Sequence, residues 1–166
     1  MTPTLGAVFI GFAFLVWELS VWFPGTKALQ TNGIAYLGDL LPFLICWCIG
    51  ALTAMVVGGL VGWIGDTALW GLNTFGDGLL VYGVGAKAGT APGSTAAPLT
   101  EGGLFMTGLV LAGFLARRRK GSTGSKWRGW GAGVGLGLSA GIARYAAVPL
   151  ASAVNASGIW FTGIVA

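Results

Sequence analysis

Apolar residues in this chain come in long runs, not in the alternating or three-to-four patterns of soluble elements. Residues 4–23 are apolar except for Glu18 and end in Trp17, Trp22 and Phe23, followed by Pro24 and Gly25. The run is long enough to cross the ~30 Å hydrocarbon core, with aromatic residues at one end as at a membrane interface. Residues 24–39 are polar. Residues 40–65 form the longest uncharged run and predict a second crossing at 41–64. Residues 66–86 are apolar but hold Asp66, Asn73, Asp77 and several Gly. They predict an interfacial or re-entrant segment, with a further crossing as the alternative. Residues 87–100 are small, polar and carry Pro and Gly, which reads as an exposed linker. Residues 101–116 and 129–150 are apolar again and flank a short basic stretch, so 101–166 reads as a helical hairpin with an apolar tail at 151–166.

The pattern predicts an all-α integral membrane protein: a small polytopic bundle of four Gly-rich transmembrane helices, or five if 66–86 crosses. Composition sharpens this. Hydrophobic residues make up 55% of the 166 and charged residues 8%, against about 25% charge in a soluble domain. So few charges cannot cover a water-facing surface, and lipid is the expected solvent and partner.

The distribution of charge sets the topology. Arg117, Arg118, Arg119, Lys120, Lys126 and Arg128 are six of the nine basic residues, and all five acids precede them. A basic loop at 117–128 between two apolar helices is placed in the cytoplasm by the positive-inside rule. The C-terminus is then outside, in what reads as a bacterial cytoplasmic membrane. Four crossings put the N-terminus outside; five put it inside. The same loop offers weak, salt-dependent contact with acidic lipid or nucleic acid.

Small residues supply the packing signal. Gly50, Ala54, Gly58 and Gly62 recur at every fourth position, as do Gly129, Gly133, Gly137 and Gly141, with Gly131, Gly135 and Ser139 as a second face. Such faces let helix backbones approach where lipid provides no hydrophobic drive. Two smooth faces on one helix suit either two neighbours in a homo-oligomer or packing inside one bundle. Glu18, Asp77 and Arg144 are intramembrane charges, expected to be paired or to face water. The motif Gly-Asp recurs at Gly38-Asp39-Leu40-Leu41 and Gly76-Asp77-Gly78-Leu79-Leu80, too short a match to establish a repeat.

Chemistry is sparse. The absence of His removes the commonest general base and metal ligand. Cys46 and Cys48 sit inside an apolar run and read as small buried residues. The residues 121–127 lack the spacing of a phosphate loop. No catalytic residue, metal site or cofactor is expected, and the reading is non-enzymatic. The leading function is a self-associating pore or conduit subunit. In size, polytopic layout and one-sided basic charge the chain resembles phage holins. The hairpin 101–150 resembles the plan of conjugative pilins, which implies a structural subunit of a membrane-derived or secretion assembly, with other membrane subunits as partners. The Gly/Ala/Trp/Arg-rich style is similar to that of small membrane proteins of mobile elements.

Overall fold

The structure, a computed structural model, describes residues 2–91, 99–116, 123–137, 139 and 147–165. Among these the chain is all-helical, with six helices and no strand. They are α1 (Leu5–Trp22), α2 (Thr26–Met55), α3 (Gly59–Gly78, continued by a π-helical turn at Leu79–Val84), α4 (Glu101–Ala116), α5 (Thr123–Gly137) and α6 (Ala147–Val165). Two of them, α1 and α2, are long and apolar enough to cross a membrane.

The helix boundaries differ from the hydropathy reading in three places. First, the polar stretch 24–39 is mostly helical: α2 starts at Thr26 and bends at Asn32 (φ −137°, ψ 37°). Second, the run 40–65 is not one helix. α2 stops at Met55, and Gly58 and Gly59 take φ of +83° and +67°, a left-handed conformation open to Gly and costly to other residues. Hydropathy cannot see this break, because Gly counts as neither polar nor charged. Third, the described part of α5 ends at Gly137 and a separate helix, α6, begins at Ala147.

Glycine decides how the helices pack. On α5, a Cβ at Gly129 would stand 2.5 Å from the Phe43 carbonyl oxygen; at Gly133 it would overlap the Trp47 carbonyl; at Gly137 it would stand 2.8 Å from Ala51 Cα. These partners follow one another four residues apart along α2 in the same order, so α2 and α5 run parallel. The contact is also reciprocal: a Cβ at Gly50 would overlap the Trp130 carbonyl. Only backbone without side chains fits such a seam, which is stabilised by close van der Waals and Cα–H···O contact.

The second face of α5 receives α1. A Cβ at Gly131 would meet the Phe14 ring at 3.0 Å, and one at Gly135 would meet the Ala7 carbonyl at 2.7 Å. The order is now reversed, so α1 is antiparallel to α5. Ala132, Val134 and Leu136 are fully buried between these neighbours. Both smooth faces of α5 are therefore filled by the chain's own α1 and α2.

The chain is built as two like halves. In the first, Gly6 of α1 packs backbone to backbone on Gly76 of α3; in the second, Gly102 of α4 packs the same way on Gly158 of α6. The cores correspond as well. Leu69 packs with Val134, flanked by Ala68 and Leu72; Ala151 packs with Ala51, flanked by Leu150 and Val154. Each outer pair, α1–α3 or α4–α6, thus leans on the central helix of the other half. The reciprocal seam between α2 and α5 is the isologous contact expected of an approximate two-fold.

α3 does not run the length of the bundle. A Cβ at Gly65 would meet the Thr53 carbonyl at 2.5 Å; Leu69 meets Ala7; Gly76 meets Gly6. All these partners lie in the last turns of α2 or the first turns of α1. A helix of 20 residues, ~30 Å long, touches only one end of its neighbours and so lies across it.

Gly133→Leu should destabilise the protein by at least the ~1–3 kcal/mol typical of overpacking, because the obstructing atoms are backbone. Gly71→Leu, with nothing within 4 Å of its Cβ, should change little. Thermal unfolding in detergent measures both.

Candidate functional site: a buried ion pair and two Thr–Asn clasps

The polar groups of this apolar bundle gather at its two ends. At one end, Glu18 lies in the last turns of α1 and is 8% exposed. Antiparallel packing brings it to the first turns of α5. Its Oε2 accepts from Arg128 Nε at 2.8 Å and pairs with Arg128 Nη2 at 2.7 Å. Its Oε1 accepts a short hydrogen bond from the Ser125 hydroxyl. Both carboxylate oxygens are thereby satisfied, and the charge sits at a helix N-terminus, where the macrodipole favours an anion. Unpaired, the same carboxylate would cost several kcal/mol. Nearby, the Trp22 indole donates to the Tyr36 carbonyl at 2.7 Å and ties the hairpin of α1 and α2 together.

At the other end, Asn73 Oδ1 accepts from both the amide and the hydroxyl of Thr4, at 2.9 and 3.1 Å. Thr4 is the N-cap of α1 and accepts from the Ala7 amide. Asp77 Oδ1 accepts from the Gly6 amide at 3.2 Å. The first N–H groups of α1 are thus capped by its own Thr4 and by Asp77 of α3, with Asn73 of α3 holding Thr4 in place. The second half repeats the device. Asn155 Oδ1 accepts from the Thr100 amide and hydroxyl at 2.9 and 3.1 Å, and Thr100 accepts from the Gly103 amide. Ile159 stands where the first half has Asp77. The segment after the π turn returns to this end: Leu5 N donates to Gly89 O and Ala91 N to Pro3 O.

Among the residues singled out from the sequence, Glu18 and Arg128 come together. Lys126 is half-buried on the same end of α5. Asp77 caps a helix at the opposite end. Arg144, Gly141, Arg117, Arg118, Arg119 and Lys120 lie outside the described residues. Gly129, Gly133 and Gly137 line the seam with α2. Gly50 and Ala54 lie on α2, whereas Gly58 is in the break with open space around it and Gly62 is on α3, folded back toward the Val56 carbonyl. The four-residue spacing of Gly50, Ala54, Gly58 and Gly62 therefore does not form one continuous ridge, because the helix ends between them.

Ser125, Thr4, Thr100 and Asn155 are not singled out by the sequence reading, in which Asn73 figures only as a polar interruption of the apolar run 66–86. Cys46 and Cys48 are free thiols. Among the described residues no three His, Cys, Asp or Glu side chains converge on a metal site. A shallow apolar groove of about 410 Å³ runs along α3, lined by Trp70, Gly71, Thr74, Phe75, Gly78 and Leu79. It presents no pair of titratable groups. No family profile, curated protein or solved structure matches the chain.

Glu18→Gln should cost between the ~1 kcal/mol of an exposed pair and the ~3–5 kcal/mol of breaking a buried one. The exchanged pair Glu18→Arg with Arg128→Glu should recover part of it. Unfolding of the two variants and the parent chain in detergent checks the prediction.

Proposed function

We propose that this chain is a non-enzymatic integral membrane protein and one subunit of a pore or conduit formed by several copies. The observation that carries the membrane reading is the outer surface. Trp17, Val21, Ile34, Leu60, Phe75 and Trp160 are each more than 60% exposed, and they come from four different helices. Single exposed apolar residues are ordinary; an apolar exterior on nearly every helix is not. In lipid this exterior costs nothing, while the buried carboxylate of Glu18 is paired with Arg128.

The crossings in this reading are α1, α2, α4 and α5, with the basic segment 117–128 on the cytoplasmic side. The Glu18–Arg128 pair supports that assignment, since it requires the end of α1 and the start of α5 to share a side. The start of α1 is then outside. A bacterial cytoplasmic membrane is the natural setting.

The conduit reading rests on assembly between copies. The groove on α3 is apolar and shallow, so a lumen would have to be enclosed by several chains. The faces of α5 are already filled, which leaves the outer helices to associate. Gly108 on α4 has nothing within 4 Å of a Cβ, and a small residue of this kind on a crossing helix allows close helix approach. Holin-like permeabilisation and transfer across the membrane by a mobile element are the forms this function would take. A second reading, a structural subunit of a membrane-derived assembly, is favoured by the self-contained clasp of the two halves.

Induced expression in a bacterial host, with a membrane-potential dye and viable counts, separates the two. The conduit reading predicts loss of potential and viability. Stable potential with normal growth would remove it in favour of the structural subunit.

A further inference from the structure

We infer that α3 and α6 are in-plane helices seated in the interfacial zone of one leaflet, the one facing away from the basic segment, and that lipid headgroups and upper acyl chains cover their outer faces. The inference deepens the membrane reading above and rests on it.

The placement follows from where the ends of α3 are held. Its start at Gly59 is fixed by the chain itself, three residues beyond Val56, the C-cap of α2. Its far part is held by the Asn73–Thr4 and Asp77–Gly6 hydrogen bonds at the start of α1. Because α1 and α2 are antiparallel, the end of α2 and the start of α1 are the same end of the bundle. α3 therefore leaves and returns on one side. The segment 86–91 makes the same return, since Gly89 and Ala91 bond to Leu5 and Pro3.

The surface of α3 suits that position. Trp63, Trp70 and Phe75 are 58–66% exposed, and Tyr82 in the following turn is 92% exposed. Trp and Tyr favour the headgroup boundary, where an apolar ring and a polar N–H or O–H are both accommodated. Thr67 and Thr74 share the exposed part of the helix, and each returns its hydroxyl to a carbonyl of the preceding turn. An interfacial helix combines such aromatic and polar positions. The groove between Trp70, Thr74 and Leu79 is open and apolar, as a cleft for the upper part of an acyl chain would be.

The second half carries the same argument to α6. Its Asn155–Thr100 clasp and Gly158–Gly102 contact hold it across the start of α4, and Trp160 is 69% exposed. The parallel seam of α2 and α5 places both halves the same way up, so both in-plane helices enter the same leaflet. The chain is then a wedge, with four crossings throughout and two extra helices on one side.

Single cysteines test this in the full-length chain with Cys46→Ala and Cys48→Ala. Val57→Cys and Lys87→Cys flank α3, and Lys27→Cys marks the opposite end of the bundle. With a membrane-impermeant maleimide on oriented vesicles, Val57→Cys and Lys87→Cys should label from one side and Lys27→Cys from the other. Spin labels at Leu60, Trp70 and Phe75 should report one shared shallow depth. Labelling of Val57→Cys and Lys87→Cys from opposite sides, or label depths spread over the ~22 Å that fifteen residues of crossing helix would span, overturns the inference while leaving the membrane reading standing. Release of the protein from membranes by alkaline carbonate overturns both.

Discussion

The backbone-to-backbone seam of α2 and α5 is the constraint on which the rest of the molecule depends. On the proposed membrane reading, apolar side chains gain nothing by leaving lipid for a partner helix, so association relies on close van der Waals packing and weak backbone contacts. Both require backbones to approach within the space a side chain would fill. Gly129, Gly133 and Gly137 on one helix and Gly50 on the other clear that space. Gly costs ~1 kcal/mol in a water-exposed helix, but a lipid-embedded backbone has no other partner for its N–H and C=O groups than its own helix. The same residue that would weaken a helix in water thus brings two helices together here.

Once the seam exists, the other elements have few places to go. α1 takes the remaining Gly face of α5, and the ion pair of Glu18 with Arg128, together with the Ser125 hydrogen bond, sets how far along it sits. The Asn–Thr clasps then hold α3 and α6 across the ends of α1 and α4, bonding the backbone amides of Thr4 and Thr100. The polar contacts between helices serve geometry: Glu18, Asn73, Asp77 and Asn155 each fix the position of a helix end. The two halves use the same parts, and where they differ, as at Asp77 and Ile159, the first half has the additional cap.

Much of the all-helical architecture was legible from the apolar runs, since their lengths and lack of charge leave little alternative. The smooth faces of α5 were legible too, but not what fills them. Spacing shows that a backbone can approach; it does not say whose. The break at Gly58 was hidden because the same Gly spacing that marks a packing ridge also permits a chain reversal, and φ is not written in hydropathy. The duplication was present in the sequence but diluted. Thr-x-Gly-x-x-Phe at Thr4 and Thr100, Trp-x-x-Gly at Trp47 and Trp130, and Asn-x-x-Gly at Asn73 and Asn155 recur in the same order. Those are the residues of the seam and the clasps. At other positions one apolar residue stands for another, as Leu69 and Ala151 or Val134 and Ala51 do, so the match between the halves is confined to a few residues. The short Gly-Asp recurrence falls at positions that do not correspond in the structure.

Filling of the α5 Gly face by α2 of the same chain is open to a direct chemical test. A cysteine at Gly129 would face the native Cys46, whose Cβ lies 3.1 Å from where a Cβ on Gly129 would stand. That is near the ~3.5–4.5 Å of a disulfide; the Phe43 carbonyl oxygen, 2.5 Å from the same point, has to move aside, so the seam widens locally at a cost in stability when the bond forms. In a Cys48→Ala background, mild oxidation of Gly129→Cys in membranes should consume both thiols and leave the protein a monomer on a non-reducing gel. Disulfide-linked dimers, which require the Gly face to meet α2 of a second copy, would contradict the account.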